Sequence, residues 1–215
     1  MSTGEPQKTE ESKEQSKSKI YVLTIQILFG IIIGISFTDY HKELVPFNPS
    51  FETIMIFVAY ATVLLSLVGY SITVKFRYHK KIWRFILDII LLYLYYQLVY
   101  SPRTGFDYFL WIFPAIFFIY VIWQILEYGE WRNEENHKYK LKPFLITVVV
   151  TIAFTIAFGL IAYLYQGEAA LQNSTETGVI KYLSVTNLEW IILGIIVSLQ
   201  FVFRIFISLI ESKWG

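Results

Sequence analysis

Long apolar runs separated by short polar segments make up most of this chain. Six runs are each close to the ~20 residues that a membrane-spanning helix needs; they cover residues 20–37, 54–74, 82–100, 109–126, 143–165 and 188–210. Because a backbone in lipid must satisfy its own hydrogen bonds, each run is predicted to be an α-helix. Pro114 lies inside the fourth run and is expected to kink or break that helix. The pattern therefore predicts an all-α, polytopic membrane protein, a bundle of six transmembrane helices.

The segments outside these runs are polar. Residues 1–19 mix Glu and Lys without any apolar period, which is typical of a disordered tail. The predicted domains are a disordered cytoplasmic tail over residues 1–19, a six-helix transmembrane domain over residues 20–210, and a short cytoplasmic C-terminus over residues 211–215. The role of the tail stays open between a solvated segment and a partner-binding one.

The basic residues of the connections are distributed unevenly between the two sides of the membrane. Alternate connections hold fourteen Lys and Arg on one side and three, Lys42, Arg103 and Lys181, on the other. Cytoplasmic loops carry the excess of Lys and Arg, so both termini are predicted to be cytoplasmic, in a multi-pass protein of the cell membrane. The last outer loop then contains a glycosylation sequon at Asn173, whose use the sequence leaves open.

Composition narrows the possible classes of function. The 215 residues are 55% hydrophobic and carry a net charge of +1. A net charge this small gives no indication of nucleic-acid binding. The sequence has no cysteine, and it shows no His, Asp and Glu set at metal-ligand spacing. It also lacks a Gly-rich phosphate loop and a nucleophile elbow. We therefore expect no enzyme activity, no cofactor and no metal.

A few polar side chains lie inside the apolar runs. Asp88, Arg204 and Gln26 each lie six residues from the cytoplasmic end of their run, which is ~9 Å into the inner leaflet at a rise of ~1.5 Å per residue. An isolated charge at the centre of a membrane helix costs roughly 2.5–3.5 kcal/mol, so Asp88 and Arg204 are predicted to form an ion pair. The predicted intramembrane polar core consists of Asp88, Arg204, Gln26, Gln200 and Gln124.

Two simpler arrangements compete with that ion pair. Arg84 lies one helical turn before Asp88 and could satisfy its carboxylate within the same helix. Arg204 could instead extend its long stem towards the cytoplasmic headgroups. In either arrangement the charges would have a purely structural role.

Small residues repeat at helical spacing on two of the runs. Gly30 and Gly34 share one face of the first helix, and Gly194 and Ser198 share one face of the sixth. Such small-xxx-small faces let two helices approach closely, and the partner is either another run of this chain or another copy. Helices one, three and six are predicted to form the polar core, and the tyrosine-rich segment over residues 93–100 is predicted to mark the outer interface of helix three.

The expected partners and functions follow from this architecture. Besides the lipid bilayer, we expect a second copy or a partner membrane protein and no nucleic acid; anionic lipid could bind the basic loop residues Lys75, Arg77, Lys80 and Lys81. One function that fits is a non-enzymatic accessory, scaffold or sensor component of a membrane assembly. The alternative is a channel or transporter that passes an ion or small solute along a polar inner-leaflet path. The small number of intramembrane charges favours the first.

The predicted orientation determines where introduced cysteines should react. Because the chain has no cysteine of its own, single cysteines in place of Arg103 and Lys181 should react with a membrane-impermeant maleimide added to intact cells. Cysteines in place of Lys80 and Lys138 should react only after the membrane has been permeabilised. The reverse pattern of labelling would show that the orientation is wrong.

Overall fold

Six long α-helices account for most of the described chain, which in this computed structural model comprises residues 5–45, 47, 49–76, 82–131, 141–174 and 180–214. The helices are α1 (Glu5–Leu44), α2 (Phe51–Phe76), α3 (Ile82–Tyr100), α4 (Phe106–Trp131), α5 (Leu141–Ser174) and α6 (Ile180–Trp214). A single 3-10 turn, Ser101–Arg103, connects α3 to α4. Side chains are described over residues 19–45, 47, 49–71, 82–129, 141–166 and 187–210.

Each of these helices contains a segment that is long and apolar enough to cross a membrane. The segments are Lys19–Leu44, Phe51–Ser71, Ile82–Arg103, Phe106–Gly129, Leu141–Gln166 and Asn187–Ile210. They coincide with the six predicted apolar runs and extend most of them by a few residues. The prediction of an all-α, six-helix membrane bundle is therefore confirmed.

The first and last helices extend beyond the apolar runs. The backbone of α1 is helical from Glu5, within the residues 1–19 that were assigned to a tail; the division into tail and transmembrane domain stays a prediction. The helix α6 likewise continues to Trp214, into the predicted C-terminal segment. Glu, Lys and Gln are good helix formers, so these polar segments can continue the helix that the apolar run begins.

Pairs of side-chain contacts give the relative directions of the helices. Thr62 and Ser66 of α2 contact Gln200 and Arg204 of α6, respectively. The later residue of α2 contacts the later residue of α6, so α2 and α6 are parallel. The helices α2 and α3 run in opposite directions, since Tyr70 contacts Asp88, whereas Ser66, earlier in α2, lies beside Tyr95, later in α3. It follows that α3 and α6 are antiparallel.

Aromatic side chains fill the space between α4, α5 and α6. The Phe117 ring of α4 lies 4.9 Å from the Phe158 ring of α5 and 4.8 Å from the Phe203 ring of α6, centroid to centroid. The Phe154 ring of α5 lies 5.2 Å from Phe203. Aromatic pairs of this kind contribute about 0.5–1.5 kcal/mol each beyond the area they bury. This half of the bundle therefore depends mainly on ring packing.

The proline of the fourth run does not interrupt its helix. The helix α4 is continuous from Phe106 to Trp131 with Pro114 inside it, so the alternative of a break at Pro114 is wrong. Pro114 is buried, and the helix packed over it presents Gly159, where a Cβ would lie 3.9 Å from the proline ring. Transmembrane helices tolerate proline where a neighbouring helix covers the freed backbone group.

Gly105 sets the direction of the turn between α3 and α4. Its φ of +143° lies in a region that is essentially restricted to glycine. Its N–H donates to the Ser101 carbonyl at 3.0 Å and its carbonyl accepts from the Phe109 N–H at 3.1 Å, so the residue ends one helical segment and begins the next. A Cβ at this position would lie 2.7 Å from the Asp107 Oδ1.

Replacing Gly105 with alanine should destabilise the protein. The strained φ costs about 1–3 kcal/mol for a residue with a side chain, and we expect a lower melting temperature of the purified protein in detergent. Gly129→Ala is the matched control, because a Cβ there meets nothing within 4 Å and alanine is favoured in a helix by up to ~1 kcal/mol. Equal melting temperatures for the two variants would contradict the assigned role of Gly105.

Candidate functional site

Asp88 is the centre of a buried polar cluster in α3. Its side chain is almost fully buried. The Trp123 indole N–H of α4 donates to Oδ1 at 3.0 Å, and the Tyr70 hydroxyl of α2 donates to Oδ2 at 3.4 Å. Hydrogen bonds to a charged acceptor are stronger than those between neutral groups. One carboxylate therefore connects three helices.

A charged pair, Arg84 and Glu127, lies beside the same indole ring, with Arg84 over its face. Arg84, one turn before Asp88, is fully buried. Its guanidinium carbon lies 4.3 Å from the centre of the Trp123 ring, within the range of a cation–π contact. Its Nη2 lies 3.9 Å from Oε1 of Glu127 in α4, which is also buried. Trp123 thus presents its N–H to a carboxylate and its face to an arginine.

Arg204 of α6 contacts α2 instead of the headgroup region. Its Nη2 donates to the Ser66 hydroxyl at 3.1 Å. A Cβ on Gly69, one turn along α2, would lie 2.9 Å from the Arg204 Nη1, which is closer than real Cβ contacts allow. The absence of a side chain at Gly69 therefore leaves the space that the guanidinium occupies. The alternative in which Arg204 extends towards the cytoplasmic headgroups is not the arrangement found.

The structure does not bring Asp88 and Arg204 together, although both start at the same depth. Asp88 binds Trp123 and Tyr70, and Arg204 binds Ser66. The Cα–Cβ bond of a helical residue tilts towards the N-terminus of its own helix. Because α3 and α6 are antiparallel, the two side chains tilt towards opposite ends of the bundle. The ion pair was predicted because both residues lie six positions from the cytoplasmic end of their runs. The opposite directions of the two side chains disfavour it.

The three glutamines of the predicted core each bond to a neighbouring helix. The contacts join Gln26 of α1 to Ser71 of α2 (3.2 Å), Gln124 of α4 to Thr151 of α5 (3.0 Å), and Gln200 of α6 to Thr62 of α2 (2.9 Å). Within the described part of the chain, Oε1 of Gln124 and Nε2 of Gln200 are buried without a hydrogen-bond partner. The polar core thus consists of several pairwise contacts distributed over the bundle.

A tyrosine pair belongs to this polar layer and was missed by the sequence analysis. The hydroxyls of Tyr95 in α3 and Tyr120 in α4 are 2.5 Å apart, and Tyr95 lies near Ser66 and Arg204. The segment over residues 93–100 was predicted to mark the outer interface; Tyr93 is 60% exposed and faces outwards, whereas Tyr95 is 1% exposed and faces the interior of the bundle. Helical spacing from Arg84 and Asp88 could have placed Tyr95 on the inward face.

The predicted small-residue packing faces do not pack within the chain. A Cβ on Gly30, Gly34 or Gly194 would meet nothing within 4 Å. Ser198 is exposed and its hydroxyl donates to the Gly194 carbonyl. Of the two partners left open for these faces, another helix of the same chain is not found among the described residues, and packing against another copy stays a prediction. The polar layer involves all six helices, with α1 joining through Gln26 and α5 through Thr151, instead of helices one, three and six alone.

Two predicted features lie outside the part of the chain that the structure describes. The predicted lipid-binding residues Arg77, Lys80 and Lys81 are outside the described residues, and so is the side chain of Lys75. The side chain of Asn173 is likewise not described. The anionic-lipid site and the sequon therefore stay predictions.

No known protein gives a further guide to this site. No family model, no curated protein and no solved structure matches the chain. Among the described side chains, no group of three or more His, Cys, Asp and Glu could hold a metal ion. The function must therefore be argued from the contacts themselves.

The indole N–H of Trp123 should contribute to the stability of the protein. Trp123→Phe keeps an aromatic face for Arg84 and removes the donor to Asp88, which leaves a buried acceptor less satisfied at a cost of about 1–3 kcal/mol. We expect a lower melting temperature in detergent. Trp111→Phe on the exposed side of α4, where Trp111 is 42% exposed, should change it little. An equal decrease in the two variants would contradict the assigned role of the Trp123 N–H.

Proposed function

We propose that this multi-pass membrane protein is a non-enzymatic component of a membrane assembly, as an accessory, scaffold or sensor subunit. One observation carries the proposal: the polar side chains inside the spans are bonded to neighbouring helices. Asp88 accepts from α2 and α4, Arg204 donates to α2, and the three core glutamines bond across helix pairs. Groups engaged in this way position helices against one another.

Directional contacts of this type give the polar residues inside the spans a structural role, even if the protein transports nothing. Apolar packing in lipid is weakly selective, because a lipid tail is as apolar as leucine. A hydrogen bond or charged pair has one correct partner, and polar residues that fix register are a well-attested use of buried polarity. The network around Trp123 holds α2, α3 and α4 in one arrangement, as a scaffold requires.

The outward faces of the bundle support the assembly part of the proposal. Gly30 and Gly34 on α1, and Gly194 and Ser198 on α6, face away from the rest of the described chain. Transmembrane helices associate where small residues allow their backbones to approach. These faces would accept a helix of a second copy or of a partner membrane protein.

A channel or transporter is the second candidate, and one observation favours it. The Gln124 Oε1 and Gln200 Nε2 are buried without a partner among the described residues. An unsatisfied buried polar atom costs about 1–3 kcal/mol, and a passing solute or water could satisfy it. In that case the polar groups of α4 and α6 would line part of a path.

Flux measurements on protein reconstituted into liposomes separate the two candidates. A scaffold should pass potassium, chloride and small solutes no faster than protein-free liposomes. Asp88→Asn should then lower the melting temperature, because the charged acceptor between Trp123 and Tyr70 is replaced by a neutral amide. Asp107→Asn, at an exposed position of α4, should leave stability unchanged.

A flux above that of empty liposomes, and altered in a folded Asp88→Asn variant, would overturn the scaffold proposal. It would establish the channel or transporter instead. Gel filtration and circular dichroism of each purified variant, before reconstitution, show whether it is folded. A change of flux in a folded variant is then an effect on transport and not on folding.

A further inference from the structure

Arg204 differs from the other arginines whose side chains the structure describes. Arg84 has the Glu127 carboxylate at 3.9 Å, and Arg103 has the Glu43 carboxylate at 3.5 Å. No described Asp or Glu lies within ion-pair distance of Arg204, whose polar partner is the Ser66 hydroxyl. Its positive charge is therefore not neutralised by the described part of the chain.

The position of the guanidinium makes that charge costly. Ser66 lies five residues before the end of the α2 span at Ser71, which corresponds to ~8 Å of helix. Arg204 lies six residues before the end of the α6 span at Ile210. An arginine inside a membrane span is costly, and an anion bound to it would offset that cost.

One hydrogen-bond donor near Arg204 has no acceptor among the described residues. Gln200, one turn earlier on α6, also contacts α2, so the two side chains share one face, and Nε2 of Gln200 is buried with no described partner. A donor beside a cation is an environment in which an anionic oxygen is stabilised.

The contact between α2 and α6 also leaves a route to this position. It is among the least extensive helix–helix contacts of the bundle; it includes the polar pairs already described and the Phe51 and Trp190 rings, whose centroids are 5.1 Å apart. Gly69 admits the guanidinium to this contact, since a Cβ there would lie 2.9 Å from the Arg204 Nη1. A ligand from the bilayer could therefore reach Arg204 by moving sideways between the two helices.

We propose that the α2–α6 seam, formed by Thr62, Ser66 and Gly69 with Gln200 and Arg204, binds the carboxylate or phosphate group of an anionic ligand. The planar guanidinium of Arg204 supplies the counter-charge and matches the oxygens of either group. The source is either an amphiphile of the bilayer or a free anion in solution. This site goes beyond the proposed scaffold function, because neither the scaffold nor the transport hypothesis requires a bound anion.

Binding is tested on the purified protein in a neutral maltoside detergent at constant ionic strength. The probes are oleate, inorganic phosphate, and oleyl alcohol as an uncharged match for oleate. Oleate or phosphate should raise the melting temperature saturably, and oleyl alcohol should not. Arg204→Gln should weaken the apparent affinity by about tenfold or more, as expected for loss of a charged hydrogen-bonded contact. Arg103→Gln, a change of the same chemistry outside the seam, should leave the affinity unchanged.

A second variant keeps the proposal testable if Arg204→Gln does not fold. Gly69→Leu retains the charge but places a side chain where the guanidinium lies, so it should displace the guanidinium from Ser66 and also weaken binding. Gly194→Leu is its control, because a Cβ there meets nothing within 4 Å. Saturation by oleate alone identifies a bilayer amphiphile as the source, and saturation by phosphate identifies a free anion. Equal affinity in wild-type, Arg204→Gln and Gly69→Leu protein, or no saturable binding of either probe, would overturn the proposal.

Discussion

The absence of water inside a bilayer is the constraint on which this structure depends. A charged or polar group there must find its partner within the protein. Asp88, Arg84 and Glu127 meet this requirement around one residue, Trp123, which offers a donor at its edge and an electron-rich face. The helices that carry them are held in register because any slip would leave a buried charge without its contact.

Two kinds of packing divide the bundle. Between α4, α5 and α6 aromatic contacts such as those of Phe117 with Phe158 and Phe203 accompany the Gln124–Thr151 hydrogen bond, and ring contacts tolerate small adjustments. Between α2 and its neighbours α3 and α6 the contacts of Asp88 and Arg204 are directional. A scaffold needs the second kind to fix helix order, and the seam at Arg204 shows that the same chemistry can leave a charge open to a ligand.

The number and length of the spans could be predicted because hydropathy is a property of position along the chain. The depth of the polar residues followed for the same reason. Their partners could not, since these depend on rotation about the helix axis and on side-chain tilt. That is why Asp88 and Arg204 were paired wrongly, why Tyr95 was placed at the interface, and why the partner of the Gly30 face was left open.

The environment of Trp123 has a consequence for spectroscopy. The emission of an indole shifts with the electric field across its ring, and here a cation lies over the face while a carboxylate accepts from the N–H. The chain has six tryptophans, among them Trp83 and Trp111 on exposed surfaces, where no such field is fixed. Trp123 is therefore an intrinsic optical reporter of the charge state at the centre of the bundle.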